Sequence, residues 1–367
     1  MTPMKPLSSV WLLSSVALST VAYGGAATPA LPSQATALLS DVYTEFPRLG
    51  SAVDDARAPQ GPGQILMGGG QDVDAAFVWA QAVVSGDKPG GDLVVLRASG
   101  SNAYDAYLMG LTSYNSVQTL LIPPGAPSRN LTAAAAIVSK AEIVFFAGGD
   151  QADYVAWQGT PLALAVAQVY RRGGVVGGTS AGAAIQGEFV YDAISADRVG
   201  RDVHTSDAIT DPFEDNLSFT RDPFAFSPLT GVVVDPHFHS RDRMGRLATF
   251  MARQWTSGST FGVGVDTGNA LVIDSRGHAR LKQQVAGSGA AYVLSGRRPD
   301  LMVSGETLLY RALKVLRLGS PSDSYDFRRR CGSGVTYSVD VNGDYPDSPY
   351  RPANPYETPG RPATCSD

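Results

Sequence analysis

With 367 residues, 44% of them hydrophobic and 17% charged, the chain can bury a sizeable core, which excludes a disordered or repeat-built polymer. Its 34 acidic side chains outnumber 29 basic ones, so no basic excess points to nucleic acid as a partner.

The first stretch has Lys5 as its only charge, then an apolar, Ser-rich run from Val10 to Tyr23, then small residues at Gly24, Gly25, Ala26 and Ala27. That order predicts a secretory signal peptide, placed at 1–26 and cleaved between Ala22 and Ala27. A membrane anchor needs about 20 continuous apolar residues, more than this run supplies. The expectation is therefore a secreted or periplasmic protein with no membrane partner once the leader is removed.

A linker-like or helical lead-in from Pro32 to Leu49 follows, and then short apolar runs: Ile65–Met67, Leu93–Leu96, Thr119–Ile122, Ile143–Phe146, Val175–Val176 and Val232–Val234. Each is rich in Val, Ile and Leu without strict alternation, which suits strands buried on both faces of a parallel sheet. Helical patterns lie between them. In the clearest, Thr160 is placed to cap, Pro161 fits the first turn, and Leu162, Ala165, Val166 and Val169 share a face before Arg171, Arg172 and Gly173 close it. The alternation predicts an α/β fold with a doubly wound, mostly parallel sheet flanked by helices, whose site lies beyond the carboxyl ends of the strands. This domain is placed at 27–320.

From 321 to 367 the composition shifts to Pro, Tyr, Ser and Asp, which predicts an irregular appendage. Cys331 and Cys365 both lie there, and an oxidising compartment favours a disulfide between them over two free thiols. Asp340, Asn342 and Asp344 open with calcium-loop spacing, but Tyr345 stands where the turn glycine belongs and Arg351 where the bidentate Glu belongs.

The strongest chemical signal is the segment 177–184, GlyGlyThrSerAlaGlyAlaAla, directly after Val175 and Val176. A strand, tight turn and helix carrying GxSxG push the Ser180 hydroxyl out beside the helix's free amides. A serine needs a base, and of four histidines His237 alone follows an apolar run, GlyValValValAspPro. His204 reads as part of a polar loop and His278 as part of a turn. His239 alternates with His237 and the pair could ligate a metal, but no third ligand group accompanies them. No metal and no cofactor are expected. Ser240 looks like a cap for a helix whose stripe is Met244, Leu247 and Met251, which would put Arg241 and Arg243 in a first turn where the macrodipole disfavours cations. Either Asp242 or another nearby carboxylate offsets them, or they receive substrate carboxylates. Upstream, the strand Ile143–Phe146 runs into AlaGlyGlyAspGln (147–151), where a glycine amide can face the reacting carbonyl. With the amide of Ala181 it would form an oxyanion hole.

Four blocks, AlaGlyGlyAspGln (147–151), GlyThrSerAlaGlyAla (178–183), AspProHisPhe with ArgAspArgMetGlyArgLeu (235–247), and GlyValGlyValAsp (262–266), resemble those of the cyanophycinases and related aspartyl dipeptidases of peptidase family S51. The resemblance spans residues 65 to 275. It implies a class I glutamine amidotransferase-like (flavodoxin-like) fold, Ser180 as nucleophile, His237 as base, and Gly149 and Ala181 as the oxyanion amides. It also implies Gln151, Asp235, Arg241, Arg243 and Arg246 as pocket residues, and a peptide or polymer substrate rich in Asp, such as cyanophycin cut to β-Asp-Arg dipeptides. Thr267 stands where that family's pattern has the acid that orients the histidine, and Pro236 where it usually has Gln. The long insertion 188–229 is unassigned, and the oligomeric state is left open between monomer and homodimer. Two alternatives stand beside this reading: a non-catalytic peptide-binding protein on a peptidase scaffold, motivated by Thr267, or an α/β-hydrolase esterase, which shares GxSxG, with Asp192 or Asp235 as its acid.

Overall fold

The computed structural model describes residues 43–199, 202–224, 226–255 and 260–365. The expected leader, 1–26, and most of the lead-in lie outside them. The end of the lead-in is extended rather than helical, with two short strands, Thr44–Glu45 and Leu49–Gly50, pairing antiparallel to Ser116–Leu121.

Each of the short apolar runs from Ile65 to Val234 falls in a strand, Ile122 excepted. Ser116–Leu121, Asp92–Arg97, Ile143–Phe146, Val175–Thr179 and Gly63–Met67 lie side by side in that order, all parallel. Because side chains alternate along a strand, Val95 and Phe145 face one side with Ile65, while Val94, Leu96 and Phe146 face the other with Val176. The first side is covered by helices Asp74–Ser85 and Ala103–Leu111, the second by Ser128–Val138 and Pro161–Arg171. Thr160 Oγ1 accepts from Ala163 N (3.4 Å) and Pro161 opens the helix. The fully buried Leu162 and Val166 each contribute about 1.5–3 kcal/mol, more than the roughly 1 kcal/mol typical of a cap, so packing rather than capping decides this helix.

The remainder departs from a single, mostly parallel sheet. Asn269–Ile273, His278–Gln283 and Ser324–Asp326 extend the first sheet antiparallel beyond Gly63–Met67. A second sheet holds Val232–Pro236 parallel to Phe261–Val265 and to Phe189–Tyr191, with Ala291–Ser295, Leu309–Leu318 and Cys331–Asn342 antiparallel to one another beyond. The fold is thus a mixed α/β one with flanking helices, in which Asn269–Ile273 with His278–Gln283 and Ser324–Asp326 with Cys331–Asn342 are joined by links too short for the crossover a parallel pair needs.

The tail is not an irregular appendage either. Residues 331–342 form a twelve-residue strand that pairs at its start with Ser324–Asp326 and thereafter with Leu309–Leu318, so both sheets share it. Cys331 and Cys365 are disulfide-bonded. The described residues fall in one compact unit.

Candidate active site

Ser180 follows the Val175–Thr179 strand and precedes the one-turn helix Ala181–Ala184. Its backbone is held at φ 53°, ψ −121°, a conformation costly for any residue with a Cβ. Two glycines permit the bend. A Cβ on Gly178 would sit 2.2 Å from the Gly182 carbonyl oxygen, and one on Gly182 2.3 Å from the Phe146 oxygen. Ser180 N donates to Met67 O at 3.1 Å, which anchors the turn to the neighbouring strand.

His237 follows the Val232–Pro236 strand, as the sequence predicts, and is also left-handed, at φ 50°. Its amide donates to Gly68 O (2.8 Å), and its Nε2 lies 2.7 Å from Ser180 Oγ. Gly69, at φ 88°, lets the chain pass against the imidazole, since a Cβ there would fall 2.3 Å from Cε1 and 2.4 Å from Nε2. The run GlyGlyGly at 68–70, directly after a strand, is the signal that could have marked this residue. Burial, reinforced by the positive charges of Arg241 and Arg243, lowers the His237 pKa from 6.5 to about 4, with Asp235 opposing and Arg246 adding to the shift. The ring is therefore neutral at pH 7, and Nε2 accepts the serine proton when Nδ1 carries the ring's own.

Thr267 does not orient that ring. Its side chain packs beside Gly70, and among the described residues Ser180 is the ring's sole hydrogen-bond partner. Asp266 points the other way, accepting from His239 N and Ala290 N, both at 2.9 Å. It holds the backbone two residues beyond the imidazole rather than the imidazole itself. Asp192 and Asp235 also spend their oxygens elsewhere, Asp192 on Ser218, Thr220 and the amide of Ile194, and Asp235 on two arginines.

Gly149 and Ala181 both line the cavity at Ser180. Neither amide has an acceptor among the described residues, which leaves both available to a ligand. A Cβ on Gly148 would lie 3.6 Å from Ser180 Cβ, so the loop after Ile143–Phe146 crosses close to the serine.

The cavity has a volume of about 370 Å³ and brings together Gln151, Ser180, Asp235, Arg241, Arg243 and Arg246. Arg246 reaches the buried Asp235 carboxylate with Nε (2.8 Å) and Nη2 (2.6 Å), and Arg243 Nη1 joins at 3.2 Å. Arg243 is nine-tenths buried or more, and desolvation together with the like charge of Arg246 lowers its pKa to about 10. It remains charged at neutral pH, with Asp235 and Asp202 as its anionic partners. Gln151 opens the short helix Gln151–Val155 behind Asp150, which caps Ala152 N. The insertion 188–229 supplies a wall the sequence did not assign, through Tyr191, Ala193, Ala196 and Asp202. Asp202 stands 3.6 Å from both Arg243 and Arg246.

The other histidines lie apart from this site's chemistry. His239 stacks on Tyr356 with ring centroids 4.4 Å apart. His204 is exposed at the end of the non-helical stretch 202–204, directly before the helix Thr205–Thr210, and His278 opens a strand and faces Asp326. Ser240 is not a helix cap: the helix runs from Met244 to Arg253 with Arg243 as its N-cap, and the cations at this end are set against Asp235 and Asp202.

A serine on a strained strand-to-helix turn, bonded to a neutral histidine above the ends of parallel strands, defines a serine hydrolase site. The family model of Peptidase family S51 matches residues 126–281, which contain both side chains. Over that segment the chain resembles the cyanophycinase-like serine peptidases of family S51. The cyanophycinases of Synechococcus elongatus and Thermosynechococcus vestitus are each 28% identical over 162 residues, 44% of this chain and 44% of theirs. That of Geminocystis herdmanii is 26% identical over 162 residues, 44% of this chain and 52% of its own length. The match thus spans about half the length of these relatives. Among solved structures, a peptidase from an acI-B1 Actinobacterium aligns with a TM-score of 0.45 and 15% identity, covering 68% of this chain and 98% of its own. A putative peptidase E protein from Listeria monocytogenes EGD-e aligns at 0.39 and 14%, covering 61% and 98%.

Proposed function

We propose that this protein is an exported serine exopeptidase that cleaves aspartyl or β-aspartyl peptides, cyanophycin among them, on a class I glutamine amidotransferase-like scaffold. The observation that carries the proposal is the 2.7 Å contact between Ser180 Oγ and His237 Nε2. Ser180 attacks the scissile carbonyl while His237 takes its proton and returns it to the leaving amine. The amides of Gly149 and Ala181 receive the oxyanion. Arg241 and Arg243 line the cavity and offer their positive charge to a substrate carboxylate, for which the planar guanidinium fork is suited. Gln151 lines the same cavity, and Asp235 holds Arg246 in place.

Export is supported by the leader-like composition of 1–26 and by the Cys331–Cys365 disulfide, a linkage typical of oxidising compartments.

Incubation with cyanophycin and with β-Asp-Arg peptides, followed by mass analysis, tests the substrate class. Release of aspartyl dipeptides by the wild type and not by Ser180→Ala is the expected result. Rapid turnover of nitrophenyl acetate with aspartyl peptides ignored would point instead to an esterase.

A further inference from the structure

The helix Met244–Arg253 carries Arg246 in its first turn and follows directly on the turn that bears His237, Arg241 and Arg243, yet its N-cap residue, Arg243, makes no side-chain cap. Its first three amides go instead to hydroxyls remote in the chain. Met244 N donates to Tyr356 Oη (2.8 Å), Gly245 N to Tyr350 Oη (3.1 Å) and Arg246 N to Thr205 Oγ1 (3.2 Å). Both phenols donate in turn to Asp242 Oδ1, each at 2.8 Å. Burial and the Asp242 charge push both phenols well above their ordinary range, so they stay protonated donors.

The turn they grip carries internal hydrogen bonds, Arg241 N to His237 O (3.1 Å), Asp242 N to His239 O (3.0 Å) and Arg243 N to Phe238 O (2.9 Å), and is strained nonetheless. His237 and Asp242 are both left-handed, at φ 50° and 45°, and such residues persist only where the surroundings over-determine them. At one point the turn is fixed from outside by Asp266, through His239 N, beside the bonds that His237 N makes to Gly68 O and Phe238 N to Val265 O. At the other it is fixed by the two tyrosines, and the Tyr356 ring also stacks on His239. Both tyrosines belong to the C-terminal segment closed by the Cys331–Cys365 disulfide, and Tyr350 is further held by strand pairing with Val341.

We propose that Tyr350 and Tyr356 are positioning residues: the disulfide-closed C-terminal segment clamps the 237–243 turn through Asp242 and so holds the His237 imidazole against Ser180. The proposal rests on the reading of Ser180 and His237 as nucleophile and base. It gives the tail a role in the site, although the tail lies outside the segment that matches family S51.

The test is the rate at which a fluorophosphonate modifies Ser180 in the full chain, followed across pH for the wild type, Tyr350→Phe, Tyr356→Phe and the double variant. Charged groups acting on the imidazole are Arg241, Arg243 and Arg246 against Asp235, while Ser180 bonds it and Gly69 lies against it from other elements. A released turn lets water reach the ring and lets Arg241 and Arg243 move away. The double variant is therefore expected to react about 10- to 100-fold more slowly, with its acid limb displaced from about 4 towards 6.5. Asp242→Asn, which keeps an acceptor for the phenols, should retain most of the rate, whereas Asp242→Ala should match the double variant. If the double variant does not fold, Tyr350→Phe alone carries the test, with a smaller change in the same direction. A folded phenylalanine variant that reacts at the wild-type rate with an unmoved acid limb overturns the clamp. A wild type that does not label at Ser180 would instead remove the nucleophile reading on which the clamp stands.

Discussion

Arg246 and Asp235 form a two-pronged ion pair beneath the serine, with Nε and Nη2 at 2.8 and 2.6 Å from the two carboxylate oxygens and both residues buried. Buried charges of this kind are expensive to leave single. Removing the carboxylate strands Arg246 and Arg243 together, so Asp235→Ala should destabilise the fold by about 3–5 kcal/mol. Urea unfolding of wild type and variant measures it, and a loss below about 1 kcal/mol would show that the pair is not holding the cavity wall.

The acid limb of kcat/KM reports the free enzyme's base. A base must be unprotonated to act, and the desolvation and arginine charges around His237 lower its pKa from 6.5 to about 4. Activity should therefore persist through pH 5 and fall as pH drops through about 4. Arg241→Gln removes one of the cations, which raises the histidine pKa and moves the limb upward by a fraction of a pH unit. A limb at 6.5 in the wild type contradicts this environment.

Gly69→Ala places a methyl group inside the van der Waals radius of the imidazole. Displacing a catalytic group by an ångström costs on the order of 100-fold in rate, and that is the loss expected in peptide hydrolysis. Gly125→Ala is the control. It shares a positive φ, 73°, but meets nothing within 4 Å, so backbone strain without the clash should leave the rate near that of wild type.

Reduction of Cys331–Cys365 opens a loop with a sequence separation of 34 residues. By the chain-entropy account this costs about 3–4 kcal/mol. Thermal unfolding with and without reductant should show a clear drop in midpoint, and a Cys331→Ser, Cys365→Ser double variant should show the same drop with or without it. An unchanged midpoint on reduction would mean that strand pairing alone secures the tail.

Local chemistry was legible in the sequence, and long-range satisfaction was not. Thr160, Ser180 and His237 stand where neighbouring residues alone dictate: a cap before a proline, a serine between glycines after a strand, a histidine at the end of an apolar run. Ser240 misled because a serine before an amphipathic stripe normally caps it, whereas here Tyr350 and Tyr356 satisfy the helix amides from more than 100 positions away. Thr267 misled for a related reason. Position relative to a motif does not say which way a side chain turns, and the adjacent Asp266 is drawn to the amides of His239 and Ala290. The parallel strands were readable from their continuous apolar runs, while the second sheet and the strand Cys331–Asn342 were not, because composition rich in Pro and Tyr does not reveal a partner strand.

The account turns on Ser180 being made nucleophilic by His237, and intact-protein mass after fluorophosphonate treatment tests that most directly. One adduct per chain, located at Ser180, absent in Ser180→Ala and formed far more slowly in His237→Ala, is the predicted result. An adduct at another residue, or labelling of His237→Ala as fast as wild type, would contradict it.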